Sequence, residues 1–182
     1  MKKKRKTNLN KLLKNKTFLI PIRYLTLLAL MFTLPLIYKI FTPLTIYPTA
    51  TLLKLFYNVT IDNSFIVINS TTLIQIIPAC IAGSAYLLLL ILNLTVPMDI
   101  KKRIYSIFLS FTMLLILNIL RIFILSILYY NNMPIFDLTH KLFWYFLSTI
   151  FIITIWFLIT KIFSVKQIPV YSDIKHLLKN IH

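Results

Sequence analysis

Four long apolar runs dominate the chain, at about residues 24–42, 80–96, 104–130 and 141–163, separated by short segments that carry proline, asparagine or basic residues. Each run approaches or exceeds the ~20 residues that a helix needs to cross ~30 Å of hydrocarbon. In so few spans only helices satisfy their own backbone in lipid. The pattern therefore predicts an all-α polytopic membrane protein of about four transmembrane helices. The outer segment 43–79 is less regular. Pro43 and Pro48 are expected to end the first span. Thr51 to Tyr57 is expected to form an amphipathic helix on the outer surface, and the partly alternating stretch from Val59 to Ile68, around Asp62-Asn63-Ser64, a short hairpin. A further crossing within 43–79 stays open.

Charge sets the orientation. The formal charge of +16 would suggest nucleic acid if the basic residues were spread over a polar surface, but they flank the apolar runs. Nine fall within residues 1–23, three at Lys101, Lys102 and Arg103, and four from Lys161 onward, so sixteen of twenty lie on one side of a four-span map. Lys and Arg near span ends stay cytoplasmic. The expectation is thus a basic cytoplasmic segment 1–23, a transmembrane domain 24–163 and a cytoplasmic tail 164–182, with no nucleic-acid partner. Asn58-Val-Thr60 and Asn69-Ser-Thr71 are glycosylation sequons that fall outside on this map.

Composition then narrows the chemistry. With 59% apolar residues and a mean hydropathy of +0.84, the chain carries more apolar surface than a core of this size can hide. It has no Glu, four Asp, one Cys and one Gly. Glutamate-dependent metalloprotease motifs, paired intramembrane aspartates and a GxSxG elbow are therefore excluded. A single Cys allows neither an internal disulfide nor a multi-cysteine metal site, and no cofactor is expected.

What remains is a small set of polar residues in apolar surroundings. Arg121 lies in the third run with Asn118 three residues before it, so the two share a helix face and the amide is expected to hold the guanidinium in one orientation. A guanidinium within hydrocarbon is costly and faces a partner or a cavity unless it snorkels to the interface. At ~1.5 Å per residue Arg121 sits roughly 27 Å beyond Arg103, near the outer interface, and both readings stand. Cys80 opens the second run behind Pro78. At a helix N-terminus its thiolate would be favoured; as packing it would be a small apolar filler. Gly83, with Ala79, Ala82 and Ala85 nearby, permits close approach of another backbone or of a substrate. His140 starts the fourth run, preceded by Asp137, which would orient it or cap the span, and followed by Lys141, an expected headgroup anchor. His176 and His182 fall in the tail. On this map Cys80, Arg121 and His140 reach one depth on the outer side from three separate spans. Together they form a set for acyl transfer: a thiol nucleophile, an imidazole acid/base and a cation for the oxyanion.

The blocks Pro-Ala-Cys-Ile-Ala-Gly-Ser-Ala-Tyr at 78–86, Leu-Asn-Ile-Leu-Arg-Ile at 117–122, and His140 after a short loop resemble the exosortase/archaeosortase family of membrane sorting enzymes, in particular a compact, pacearchaeosortase-like branch. The likeness covers about residues 70–150. Many relatives place Ser or Thr and then Gly directly after the Cys, whereas Ile81-Ala82 intervene here. The resemblance implies Cys80 as nucleophile, Arg121 as catalytic arginine and His140 as catalytic histidine. It also implies partners: secreted proteins with a C-terminal signal of short motif, apolar helix and basic cluster, cleaved outside the membrane through a thioester and transferred to an anchor such as a membrane lipid. The competing expectation is a non-catalytic membrane assembly or interaction protein, in which Arg121 snorkels or pairs with a partner helix and Cys80 is packing. A small channel or transporter component fits less well, since paired broken helices and ring-forming acidic residues are missing.

Overall fold

The computed structural model describes Leu25 and residues 28–96 and 98–164; the basic segment 1–23 and the tail beyond Ser164, including His176 and His182, lie outside the described residues. Four helical rods are long and apolar enough to cross a membrane: Leu30–Lys54, Pro78–Thr95, Ile100–Tyr130 and Phe136–Ile162. Their outward surfaces carry large apolar side chains such as Phe32, Phe108, Tyr145 and Phe157. In water that would be a liability; against lipid it is the expected surface.

The first rod is a 3-10 turn, Leu30–Thr33, followed by helix α1, Leu34–Lys54. It does not stop at the prolines. Pro43 and Pro48 lie inside α1, and the expected surface helix from Thr51 to Tyr57 is instead the last turn of the span followed by a reversal at Leu55–Tyr57. A proline forfeits one backbone bond and kinks the helix. Leaving the helix inside an apolar slab would strand many more backbone groups without water. Thr49 and Thr51 assist by donating their hydroxyls to the carbonyls of Thr45 (2.7 Å) and Tyr47 (2.9 Å). One face, Ile37, Phe41, Thr45, Thr49 and Leu53, is buried at four-residue spacing.

Residues 59–75 form a three-stranded antiparallel sheet in place of a single hairpin, and the described residues contain no further crossing there. Strands β1 (Val59–Asp62), β2 (Phe65–Ile68) and β3 (Thr72–Gln75) are ordered β1-β2-β3. Val59 faces Ile68, and Ile66 faces Ile74. Asn63, Asn69 and Ser70 take positive φ at the two reversals, a conformation Asn tolerates better than most residues. Asn69, the second sequon residue, is structurally engaged. Its carbonyl oxygen accepts from the Asn58 N–H (3.0 Å), and its amide donates to the Tyr130 hydroxyl (2.8 Å), tying the sheet to the end of the third rod. Ile66 and Ile68 are fully buried beneath the sheet.

The second rod is divided. A four-residue turn, α2 (Pro78–Ile81), ends at Ala82, whose φ of 59° is left-handed, and α3 (Gly83–Thr95) starts afresh. The third rod, α4 (Ile100–Tyr130), begins earlier than its apolar run, so Lys101, Lys102 and Arg103 form its first turn and are not a loop. Its buried face includes Ser106, Ser110, Asn118, Arg121 and Ser126, while Phe108, Ile116, Leu120 and Ile124 face outward. Polar groups turned inward on a helix with an apolar exterior are the arrangement a lipid solvent enforces. Asn93 of α3 hydrogen-bonds with Ser106 and Ser110, locking α3 to α4. The fourth rod is α5 (Phe136–Leu142), one π turn (Phe143–Leu147) and α6 (Ser148–Ile162), so it starts before the expected residue 141.

Candidate active site

Cys80, Arg121 and His140 line one cavity of about 610 Å³ at the end of the bundle that carries the sheet. This is within the size range of small-molecule and peptide-fragment sites, ~300–1,000 Å³. Its walls are the strand β3 with the segment leading from it, one face of α4, and the start of the fourth rod. Most of the lining surface is apolar, and the residues that bring polar groups to it include Gln75, Cys80, Arg121, Ser126, His140 and Lys141. Among the described residues no carboxylate lines it.

The thiol is half-buried. Pro78 occupies the first turn of α2, and the Cys80 N–H donates to the Ile77 carbonyl at 2.8 Å. The carbonyl of Cys80 accepts a hydrogen bond from the Asn118 side-chain amide at 2.9 Å. Asn118 therefore clamps the backbone of the cysteine turn and does not hold Arg121, as its spacing had suggested. The Cys80 turn is also not the N-terminus of the long helix. The break at Ala82 starts a new dipole at Gly83, so any help to the thiolate comes from the groups around it. A non-glycine residue at positive φ stores about 1–3 kcal/mol, and such strain gathers where a side chain must be presented. Gly83 serves packing and does not border the cavity. A Cβ there would lie 2.5 Å from Cε1 of Tyr38, so the missing side chain admits the Tyr38 ring of α1.

Arg121 does not snorkel. It is 6% exposed, and its guanidinium points into the bundle, where Nη1 donates to Ser148 Oγ at 3.1 Å. Ser148 in turn donates to the carbonyl of Phe143 at 2.7 Å, a bond five residues back that the wide π turn makes possible. The Nε of Arg121 is buried without a partner, as is Ser126 Oγ five residues further along α4. A buried cation held by one neutral hydroxyl is under-compensated, because burial removes hydration that a single hydrogen bond does not replace. A negative charge brought close to the guanidinium would be stabilised there.

His140 is more open. Its ring stacks on Phe136 (centroids 5.5 Å apart, planes at 20°) and meets Trp144 edge-on at 6.3 Å. This aromatic ladder at four-residue spacing orients the imidazole without binding either nitrogen. Among the described residues no hydrogen bond joins His140 to Cys80 or to Asp137. Asp137 is exposed in the first turn of α5, lies outside the cavity lining and makes no capping bond. Its expected role as orienter or cap is not seen, although its charge suits a helix N-terminus. Lys141 borders the cavity as well as facing outward.

Three contributors escaped sequence reasoning. Ser148 has no local signal, since its reach to Arg121 depends on the π turn. Phe136 and Trp144 did have one: aromatic residues four before and four after His140. Comparison of the chain with protein-family models, with curated proteins and with solved structures gives no match.

Proposed function

We propose that this chain is a membrane-embedded cysteine peptidase and transpeptidase of the exosortase/archaeosortase kind. It would act on C-terminal sorting signals of secreted proteins at the outer side of the membrane. The observation that carries the reading is the meeting of Cys80, Arg121 and His140, from three separate rods, on the wall of one cavity. The under-compensated Arg121 beside the thiol adds to it.

In this reaction Cys80 Sγ attacks the scissile carbonyl carbon as His140 takes the thiol proton, and the new C–S bond places a negative charge on the substrate oxygen. Arg121, whose guanidinium borders the cavity, stabilises that oxyanion; such preorganised donors are typically worth about 3–4 kcal/mol. Collapse breaks the C–N bond, and the proton on His140 passes to the departing amine. The resulting thioester is opened by an amine or hydroxyl of the acceptor, whose proton goes to His140. The cysteine sulfur leaves and is reprotonated. That no hydrogen bond joins the imidazole to the thiol among the described residues is compatible with a resting enzyme, because catalytic hydrogen bonds commonly tighten only in the substrate complex. The orientation rests on the basic cluster 101–103. It lies at the far end of α4 from Arg121, roughly 27 Å away by helical rise, and basic clusters stay inside.

The test is co-expression of the full chain with secreted reporters that end in an apolar segment and a basic cluster, scoring loss of a C-terminal epitope. Cys80→Ala and His140→Ala are expected to abolish processing. Normal processing by Cys80→Ala would sink the peptidase reading and leave the assembly-protein alternative. Because Cys80 is the sole thiol, mass spectrometry of a trapped Cys80–substrate thioester gives a second, direct readout.

A further inference from the structure

The feature of the cavity that the chemistry above does not use is its sheet wall. Five consecutive residues, Leu73 to Ile77, line the cavity and lead directly to the cysteine turn. Among the described residues β3 is an edge strand, with β2 on one side and no strand on the other. Ile76 donates its N–H to the Ser64 carbonyl at 2.9 Å, extending a ladder in which Ile74 faces Ile66 and Thr72 faces Ile68. Backbone polar groups alternate in direction along a strand. Thr72, Ile74 and Ile76 therefore spend theirs on β2, while Leu73 and Gln75 turn N–H and C=O toward the open side, joined by the N–H of Ile77.

Edge strands are normally blunted by lysine, proline or a bulge, because an open ladder recruits any extended chain. The β1 edge carries Asp62 and packs against α1. The β3 edge, Thr-Leu-Ile-Gln, carries neither charge nor proline. The sheet is thus protected on the side away from the cavity and left open on the side that leads to Cys80. The guanidinium of Arg121, whose one hydrogen bond among the described residues goes to Ser148, borders the same space and can donate to an acceptor on whatever occupies it.

We infer that the substrate docks as a fourth strand on the open edge of β3, parallel to it, and is carried by that pairing to Cys80. This rests on the peptidase reading above. The direction follows from topology. β3 runs into the second rod through Pro78, toward the membrane. A substrate whose apolar span follows its cleavage motif must also run toward the membrane as it passes Cys80. In a parallel ladder one substrate residue spans two edge residues. Its N–H reaches the Leu73 carbonyl and its carbonyl accepts from the Gln75 N–H. The residue two further on pairs likewise with the Gln75 carbonyl and the Ile77 N–H, and the residue between them points its backbone away. Main-chain pairing supplies affinity, and alternate side chains enter the apolar wall.

The experiment uses a library of secreted reporters, each with a randomised ten-residue segment ahead of an apolar span and a basic cluster, co-expressed with the full chain. The best-processed segment is then synthesised with its span and presented to the reconstituted protein. Gln75→Pro removes the outward N–H without touching the bonds to β2 and is expected to raise KM about tenfold above that of Gln75→Ala, which loses the side chain and keeps the N–H. N-methylation scanned along the peptide is expected to impair processing by the wild-type chain at two residues separated by one insensitive residue. A flat N-methyl profile, or matching KM values for the proline and alanine variants, overturns strand docking while Cys80-dependent cleavage keeps the peptidase reading. Should Gln75→Pro fold poorly, the N-methyl scan on the wild-type protein decides. Absence of any Cys80-dependent cleavage from the library overturns both.

Discussion

Replacing Arg121 with methionine separates a residue kept for chemistry from one kept for the fold. Arg121 is 6% exposed, its sole side-chain hydrogen bond among the described residues goes to Ser148, and its Nε has no partner. Burying a guanidinium this fully costs several kcal/mol of lost hydration. A hydrogen bond to a charged group returns about 1.5–3 kcal/mol. Methionine has similar length, fills irregular apolar space, and leaves Ser148 bonded to the Phe143 carbonyl. The variant is therefore expected to be as stable as the wild type or more stable by up to about 2 kcal/mol, a rise of a few degrees in Tm for a chain of this size. Arg121→Lys keeps the charge but gives up the planar fork, and is expected to melt below both. Processing should respond the other way, with kcat falling by about 10²–10³ in Arg121→Met. Thermal unfolding in nanodiscs, beside reporter processing normalised to folded protein, measures both. If Arg121→Met melted several degrees low and lost activity only in proportion to unfolding, the guanidinium would be a structural strut and the oxyanion role would be refuted.

Three further outcomes follow from named contacts. Asn118→Leu removes the amide that holds the Cys80 carbonyl and should lower kcat about tenfold with little change in KM, checked by steady-state processing and by circular dichroism for intact helix content. Gly83→Ala drives a methyl into the Tyr38 ring and should destabilise by about 1–3 kcal/mol, with much of the loss recovered in the double variant carrying Tyr38→Leu; full stability of the single variant would refute the contact. Asn69→Ala breaks the bonds to the Asn58 N–H and the Tyr130 hydroxyl and should loosen the sheet by about 1–2 kcal/mol, read as faster amide exchange at residues 59–68 than in the helices.

The number of spans was legible because each carries its own apolar run, and the register of polar positions on α4 was also in plain view. Ser106, Ser110, Asn118 and Ser126 recur at multiples of four residues, and Arg121 falls on the same face. That pattern, more than its depth, is what separates an inward arginine from a snorkelling one. The prolines misled. Pro43 and Pro48 stop helices where water can take over the freed backbone groups, but α1 continues because its surroundings offer no such substitute. The third strand was hidden as well: Thr72–Gln75 is short, and its pairing with β2 is a tertiary event. The left-handed residue is Ala82, although the adjacent Gly83 is the one that sequence would nominate. The glycine is consumed by the close approach of Tyr38, so the turn falls on its neighbour.

From the order of its residues alone, the chain determined how many of its helices are long and apolar enough to cross a membrane and that its cysteine, arginine and histidine fall toward one end of them. Hydropathy and charge partition one segment at a time, and helical rise converts position into depth. Which of those groups meet was decided by packing. The rotation of α4 that buries Arg121, the break at Ala82 that offers Cys80, and the π turn that brings Ser148 beneath the guanidinium each depend on the neighbouring rods. No single segment carries that information, because a helix exposed to lipid on most of its surface has its facing selected only by the few polar and close-packed contacts it makes with the others.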